Sequence, residues 1–272
     1  MARERAESAS KPYGVQALSL VPFCYFAITR MDGLRGAAYQ VGTAWLPAIW
    51  LAFRLSDASL GESVAMFAIG YLCFIAIYEI GYLVNDIWDA ARGQSGRRRV
   101  GFPAGPLYVI LFVLVRLGTW GAVAYATGWI DDAVWLGAYA ALAAAFSVHN
   151  LVRVPSFRAS SFYQLATLRF TCPIVALVPR SDLAIVLLAG VIFYTYLRLL
   201  SYLDSKDLLD APERNRPIFA LAQTLMFAPV IGFVAYATHS AVFLELYVYY
   251  IALFFLRFLV PEPNRGKVPP AR

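Results

Sequence analysis

Asn85, Asp86 and Asp89 stand together where a long apolar run ends, in the stretch Asn85-Asp86-Ile87-Trp88-Asp89. On a helix, Asn85 and Asp89 are four residues apart and share a face, with Asp86 beside them. A carboxamide and two carboxylates at the mouth of an apolar helix are costly unless they bind something. Their oxygens suit a hard cation such as Mg²⁺, which keeps several waters and lets substrate phosphates complete its shell. A second acidic group, Asp204, Asp207 and Asp210, follows another apolar run and encloses Lys206. Two acidic clusters in basic surroundings suggest Mg²⁺ holding a diphosphate, because the metal inverts the sign of the carboxylates. Arg153 and Arg158, between the clusters, and Lys206 are candidates to neutralise the remaining phosphate oxygens. Preorganised cations of this kind also meet the charge that develops on a departing diphosphate.

The elements that must position these groups are membrane helices. Of 272 residues, 60% are hydrophobic and 15% charged, and mean hydropathy is +0.62. A soluble domain is nearer half apolar and a quarter charged. The excess falls in blocks of bilayer-crossing length. Segments near 34–53, 61–84, 105–127, 131–148, 161–179, 182–202, 217–238 and 241–260 are predicted to cross, giving about eight spans. Residues 1–33 read as a polar tail and an interfacial helix interrupted by Pro22, a ninth span if it inserts. The bundle then covers 34–260 and a tail covers 261–272. Cys24, Cys73 and Cys172 lie singly in apolar surroundings, without metal or disulfide spacing.

Charge sets the orientation. One set of loops carries Arg92 and Arg97 to Arg99, Arg153 and Arg158, Lys206, Arg214 and Arg216, and Arg265, Lys267 and Arg272. The alternate loops are poor in cations, so the first set is expected on the cytoplasmic side with both termini and the acidic clusters. The net charge of +6 then reflects loops beside anionic lipid rather than nucleic-acid binding. The clusters recur four segments apart, as two four-helix halves around a central cavity would place them. Within the spans, Glu79, Arg116, Arg169 and Arg198 require partners. An internal salt bridge or snorkelling is expected for Arg116, and helix-end capping for His149 and Asn150. Among the aromatics, Tyr82 and Tyr202 are the candidates for lining the site, with Arg198 one turn before Tyr202.

Taken together, the pattern resembles the UbiA-type intramembrane prenyltransferase superfamily, all-helical bundles with two aspartate-rich cytoplasmic motifs. The first motif there reads Asn-Asp-x-x-Asp-x-x-x-Asp; this chain has Asn85, Asp86 and Asp89, with Gly93 at the last position. The second often reads Asp-x-x-Asp-x-x-x-Asp; Asp204 and Asp207 match, Ala211 takes the third place, and Asp210 comes one residue early. Arg30, Asp32 and Arg153 also resemble basic and polar positions of the family. The resemblance implies Mg²⁺-dependent ionisation of a polyprenyl diphosphate and prenyl transfer to a lipophilic acceptor. It assigns Asn85, Asp89, Asp204 and Asp207 to metal, Asp86 to their support, and Arg153 and Lys206 to diphosphate. A branch of the family transfers phosphoribose from phosphoribosyl pyrophosphate to a lipid phosphate, and Tyr202-x-x-x-Lys206 suits it; other members cyclise prenyl diphosphates. A transporter with a charged cytoplasmic mouth is the alternative outside enzymes, although transporters usually bury their ionisable groups near the midplane. Asp89→Ala is expected to abolish turnover with folding intact; full activity in that variant removes the metal-site reading.

Overall fold

A computed structural model of the chain describes residues 12–31, 33–91, 105–210 and 217–259, apart from the side chains of 12, 13, 89–91 and 217. Asp32, Arg92, Gly93, Arg97 to Arg99, Ala211, Arg214, Arg216 and both tails lie outside the described residues. Among those described, every regular element is helical. The helices are α1 (Pro12–Leu18), α2 (Cys24–Arg30), α3 (33–55), α4 (Leu60–Ala91), α5 (Pro106–Thr127) and α6 (Ala133–Leu151). They continue as α7 (Pro155–Thr171), α8 (183–204), α9 (Pro217–Met226), α10 (Ala228–Thr238) and α11 (Val242–Leu259).

Five stretches are long and apolar enough to cross a membrane: Leu60–Trp88, Pro106–Thr127, Ala133–Leu151, Arg180–Asp204 and Val242–Leu259. The pair α9 and α10 makes a sixth if it is one span bent by 48°. The bend has a local cause. Pro229 lies in the first turn of α10 and has no N–H to return to the carbonyl four residues earlier. The Tyr247 hydroxyl donates to that carbonyl, Leu225 O, at 3.3 Å instead.

Two other expected crossings also differ from simple apolar rods. The segment expected at 161–179 is helical only to Thr171, then turns before Pro179; Pro173 cannot continue the ladder. The segment expected at 34–53 is continuous helix within α3 but carries Arg35, Gln40 and Thr43, and it is not among the five. Both α3 and α7 line the internal cavity described below. A helix facing a polar interior exchanges apolar residues for polar ones, which weakens its hydropathy signal.

α4 is the axis of the fold. Its 32 residues extend about 48 Å, more than the roughly 30 Å of a bilayer core, and Asn85 to Asp89 lie in its last turns. Gly70 and Gly81 let it approach its neighbours closely. A Cβ at Gly70 would collide with the Pro173 carbonyl, and one at Gly81 with the Phe146 ring. By contrast, Leu107, Ile110, Leu111 and Leu114 on α5 are exposed, as a lipid-facing helix requires.

The N-terminal segment forms two short helices rather than one. It is broken between α1 and α2, and Tyr25 and Phe26 are buried against α4. Pro22 forces the break, leaving carbonyls at the end of α1 and N–H groups at the start of α2 without helical partners. Glu79 accepts from Phe23 N at 3.2 Å and Phe26 N at 2.7 Å. Arg116 donates to the carbonyls of Ser19, Leu20 and Val21. The two side chains pair with each other at 2.8 Å, both wholly buried, and the Arg116 guanidinium lies 3.9 Å from the Phe112 ring centroid. The expected internal salt bridge of Arg116 is therefore present. Removing one member leaves a bare buried charge and undoes the chain break, so Glu79→Leu should cost about 3–5 kcal/mol, measurable as reduced unfolding stability in detergent. An Arg116→Met exchange on top of Glu79→Leu should not cost as much again; additive losses would show that the two act separately.

Candidate functional site

A cavity of about 750 Å³ lies between α2, α3, α4, α6, α7 and α8. Three helices run along it and give it depth. On α4 the wall passes from Tyr78 through Tyr82 to Asn85 and Asp86; on α7 from Arg169 through Phe162 to Arg158; on α8 from Tyr194 through Arg198 to Tyr202, with Lys206 just beyond. The outer end thus holds the motif residues, and the inner end lies among tyrosines.

The geometry gives Asp86 a definite role. Its Oδ1 accepts from Arg30 at 2.6 Å and its Oδ2 from the Tyr25 hydroxyl at 2.7 Å. Both partners come from α2, so Asp86 anchors the N-terminal segment to α4. Burial, reinforced by the Asp86 carboxylate, pushes the Tyr25 phenol far above its ordinary range, so it remains a donor. Arg30 also lies over the Tyr82 ring, 4.3 Å from its centroid.

Asn85 points its Oδ1 to Arg158 at 3.3 Å. Arg158 also lies 3.4 Å from His149 Nε2, while His149 Nδ1 meets the Ser161 hydroxyl at 2.9 Å. His149 and Asn150 were expected as helix-end caps; both line the cavity, because α6 continues past them to Leu151. Tyr202 stacks on Phe162 with ring centroids 4.2 Å apart. Arg198 lies 6.0 Å from the Tyr194 ring centroid.

Of the expected site residues, Asn85, Asp86, Tyr82, Arg198, Tyr202 and Lys206 share the cavity wall. Arg153, Asp204 and Asp207 stand outside that wall. Arg153 is in the exposed connection between α6 and α7, and Arg158, one turn into α7, faces the cavity in its stead. Asp204 ends α8, and Asp207 sits in the following turn with φ 54°, a left-handed conformation that Asp tolerates. The side chain of Asp89 lies outside the described residues.

The wall carries five cations, Arg30, Arg158, Arg169, Arg198 and Lys206, against one carboxylate, Asp86, among the described residues. Such a cavity attracts anions. No group of three His, Cys, Asp or Glu side chains among the described residues is placed to hold a metal. A preformed protein cage is therefore not built from them. Mg²⁺ that arrives with a diphosphate is less demanding, since one or two protein ligands plus phosphate oxygens and water suffice. Among the described side chains of the motif, Asn85 is the oxygen donor outside the Asp86 anchor, and its Oδ1 accepts from Arg158.

Arg169 and Gln40 belong to the wall, although in the sequence Arg169 stands out only as an in-span charge and Gln40 carries no motif. The available signal is spacing: Arg158 and Arg169 are three helical turns apart and share a face of α7.

The fold and the cavity define a multi-helix protein of membrane type with a cation-lined interior. The chain matches no family model, no curated protein and no solved structure.

Arg30 and Asp86 have side-chain exposures of only 9% and 7%. Asp86→Ala is therefore expected to lower stability by about 3 kcal/mol through the unpaired Arg30. Thermal unfolding in detergent reads this; unchanged stability would assign Asp86 to a ligand instead of to the anchor.

Proposed function

We propose that the chain is a UbiA-type intramembrane transferase that takes a polyprenyl diphosphate as donor and passes its prenyl group to a lipophilic acceptor. The observation that carries this reading is the cavity's charge, five cations against one committed carboxylate, at the end of helices long and apolar enough to span a membrane. Arg158, Arg198 and Lys206, beside Asn85, seat the diphosphate. The allylic C–O bond breaks with its electron pair leaving on the diphosphate, where these cations meet the growing charge. A nucleophilic atom of the acceptor then bonds to the allylic carbon and loses a proton to solvent. Tyr78, Tyr82 and Phe146, packed edge to face, present ring faces suited to a passing carbocation. Mg²⁺ entering with the donor would be held by Asn85 and Asp89 and would neutralise phosphate charge. Asp204 and Asp207, outside the cavity wall, are left out of this seat.

In this reading the chain crosses the membrane eight times, with α3, α7 and its following turns, and the bent α9–α10 pair each counted as one crossing. The two four-helix halves enclose the cavity, which opens to the cytoplasm with both termini on that side.

A second reading, phosphoribosyl transfer from phosphoribosyl pyrophosphate to a polyprenyl phosphate, is favoured by one observation. Lys206 and Tyr202 line the cavity while the neighbouring Asp204 and Asp207 do not, which makes the second motif basic where it faces the ligand.

Donor binding by the purified protein, with Mg²⁺ and with chelator, separates the readings. Binding of geranylgeranyl diphosphate supports prenyl transfer, binding of phosphoribosyl pyrophosphate alone supports the second reading, and binding of neither returns the transporter class. Losing one charge-assisted contact, Arg158→Gln should weaken donor binding about tenfold or more, and added salt should weaken it further. Arg153→Ala should shift it by less than about twofold, as expected for an exposed charge. Equal losses at the two positions would remove Arg158 from the seat.

A further inference from the structure

Arg169 is the least explained charge in the fold. It is 7% exposed and forms no ion pair among the described residues. Its guanidinium donates to Tyr82 Oη at 3.1 Å and to Gln40 Oε1 at 2.9 Å, both neutral acceptors. It also lies 4.9 Å from the Phe26 ring centroid and 5.7 Å from that of Tyr78. Ring faces soften the burial of a cation but do not neutralise it.

Of the groups left over around it, two are donors only and the third is a hydroxyl, which can donate as well as accept. Arg169 Nε, Gln40 Nε2 and the Tyr194 hydroxyl are buried without a hydrogen-bond partner, and all three residues line the cavity's inner end. Gln40 and Tyr194 are 6% and 2% exposed. Buried donors without acceptors are uncommon, and each calls for a specific explanation. The backbone singles out the same place. Gln40 immediately precedes a π-helical turn at Val41–Trp45, and Tyr194 lies within another at Gly190–Thr195; such turns frequently mark functional sites.

This inner group lies deeper than the diphosphate seat, which it meets on α8, where Arg198 is 6.0 Å from the Tyr194 ring centroid. Arg158 and Arg169 lie about 16 Å apart along α7, at 1.5 Å per residue, farther than one diphosphate reaches. Asp86, the carboxylate of the wall, is already held by Arg30 and Tyr25.

We propose that Arg169, Gln40 and Tyr194 form a second oxyanion subsite, which binds a carboxylate or phosphate group of the acceptor. The guanidinium supplies the charge, and the carboxamide and phenol supply two further donors. The oxyanion of the ligand is the counter-charge that the protein omits. An acceptor anchored there would extend its reacting end toward the donor seat, between the two cation clusters. The assignment of this ligand as the acceptor rests on the transferase reading; the subsite itself does not.

The test uses the purified full chain in detergent and three probes: benzoate, inorganic phosphate and geranylgeranyl diphosphate. Dissociation constants are measured by calorimetry for the wild type, Arg169→Gln and Tyr194→Phe. The last variant removes only an unpartnered hydroxyl, so its fold should be preserved. Arg169→Gln is expected to weaken benzoate or phosphate about tenfold or more, and Tyr194→Phe about threefold, as for lost charged and neutral donors. The loss for the diphosphate should be much smaller. A response confined to benzoate identifies a carboxylate ligand, and one confined to phosphate identifies a phosphate ester. If neither probe binds, or neither variant alters their affinity, the subsite is refuted. If the diphosphate fails to bind while the Arg169-dependent oxyanion binding persists, the transferase reading falls and the subsite stands.

Discussion

The buried Glu79–Arg116 pair is what allows a broken N-terminal segment to sit inside a bundle of apolar helices. Two charges removed from water each cost several kcal/mol, and their mutual attraction rarely offsets that alone. Here the pair does more than attract. Glu79 takes the N–H groups at the start of α2, and Arg116 takes carbonyls at the end of α1. In an apolar environment those backbone groups have no water to turn to. The pair thus resolves two problems at once, and α2 is fixed against α4 as a result. With α2 in place, Tyr25 and Arg30 reach Asp86, and one wall of the cavity is set.

The same logic operates at the inner end. The π-helical turn in α3 disturbs the regular ladder, and two tyrosines of α11 reach across to serve its carbonyls. Tyr249 donates to Gly42 O and Tyr250 to Thr43 O, each at 2.7 Å. In α8 the comparable turn places Thr195 against Thr167 of α7 at 3.2 Å. Irregular backbone at membrane depth persists where neighbouring helices satisfy it or where it lines a cavity, and both conditions hold here. The carbonyls of Gly42 and Thr43 are thereby served, whereas Arg169 Nε, Gln40 Nε2 and the Tyr194 hydroxyl have no hydrogen-bond partner. That imbalance is what the proposed oxyanion subsite rests on.

Two neighbouring residues of one motif have different duties. Asp86 is enclosed by α2 and balances Arg30, so its charge stabilises the scaffold. Asn85, its neighbour, faces Arg158 across the cavity. The outer end is therefore basic despite the acidic motif beside it.

The sequence by itself determined the class: apolar blocks of bilayer length, a helical bundle and a polar motif at the end of α4. These follow from periodicity and hydropathy, which are local properties. It also grouped Tyr82, Asn85, Arg198, Tyr202 and Lys206, which line one cavity, since each falls near a helix end that bears a motif. Only the tertiary structure decided that Arg158 rather than Arg153 lines the cavity, that Lys206 does so without Asp204 and Asp207, and that Gln40 and Arg169 meet inside it. Those choices depend on the rotation of each helix about its axis and on contacts between residues as distant as Gln40 and Arg169. No local pattern encodes them, because the polar helices α3 and α7 are recognisable as cavity walls only once their neighbours enclose them.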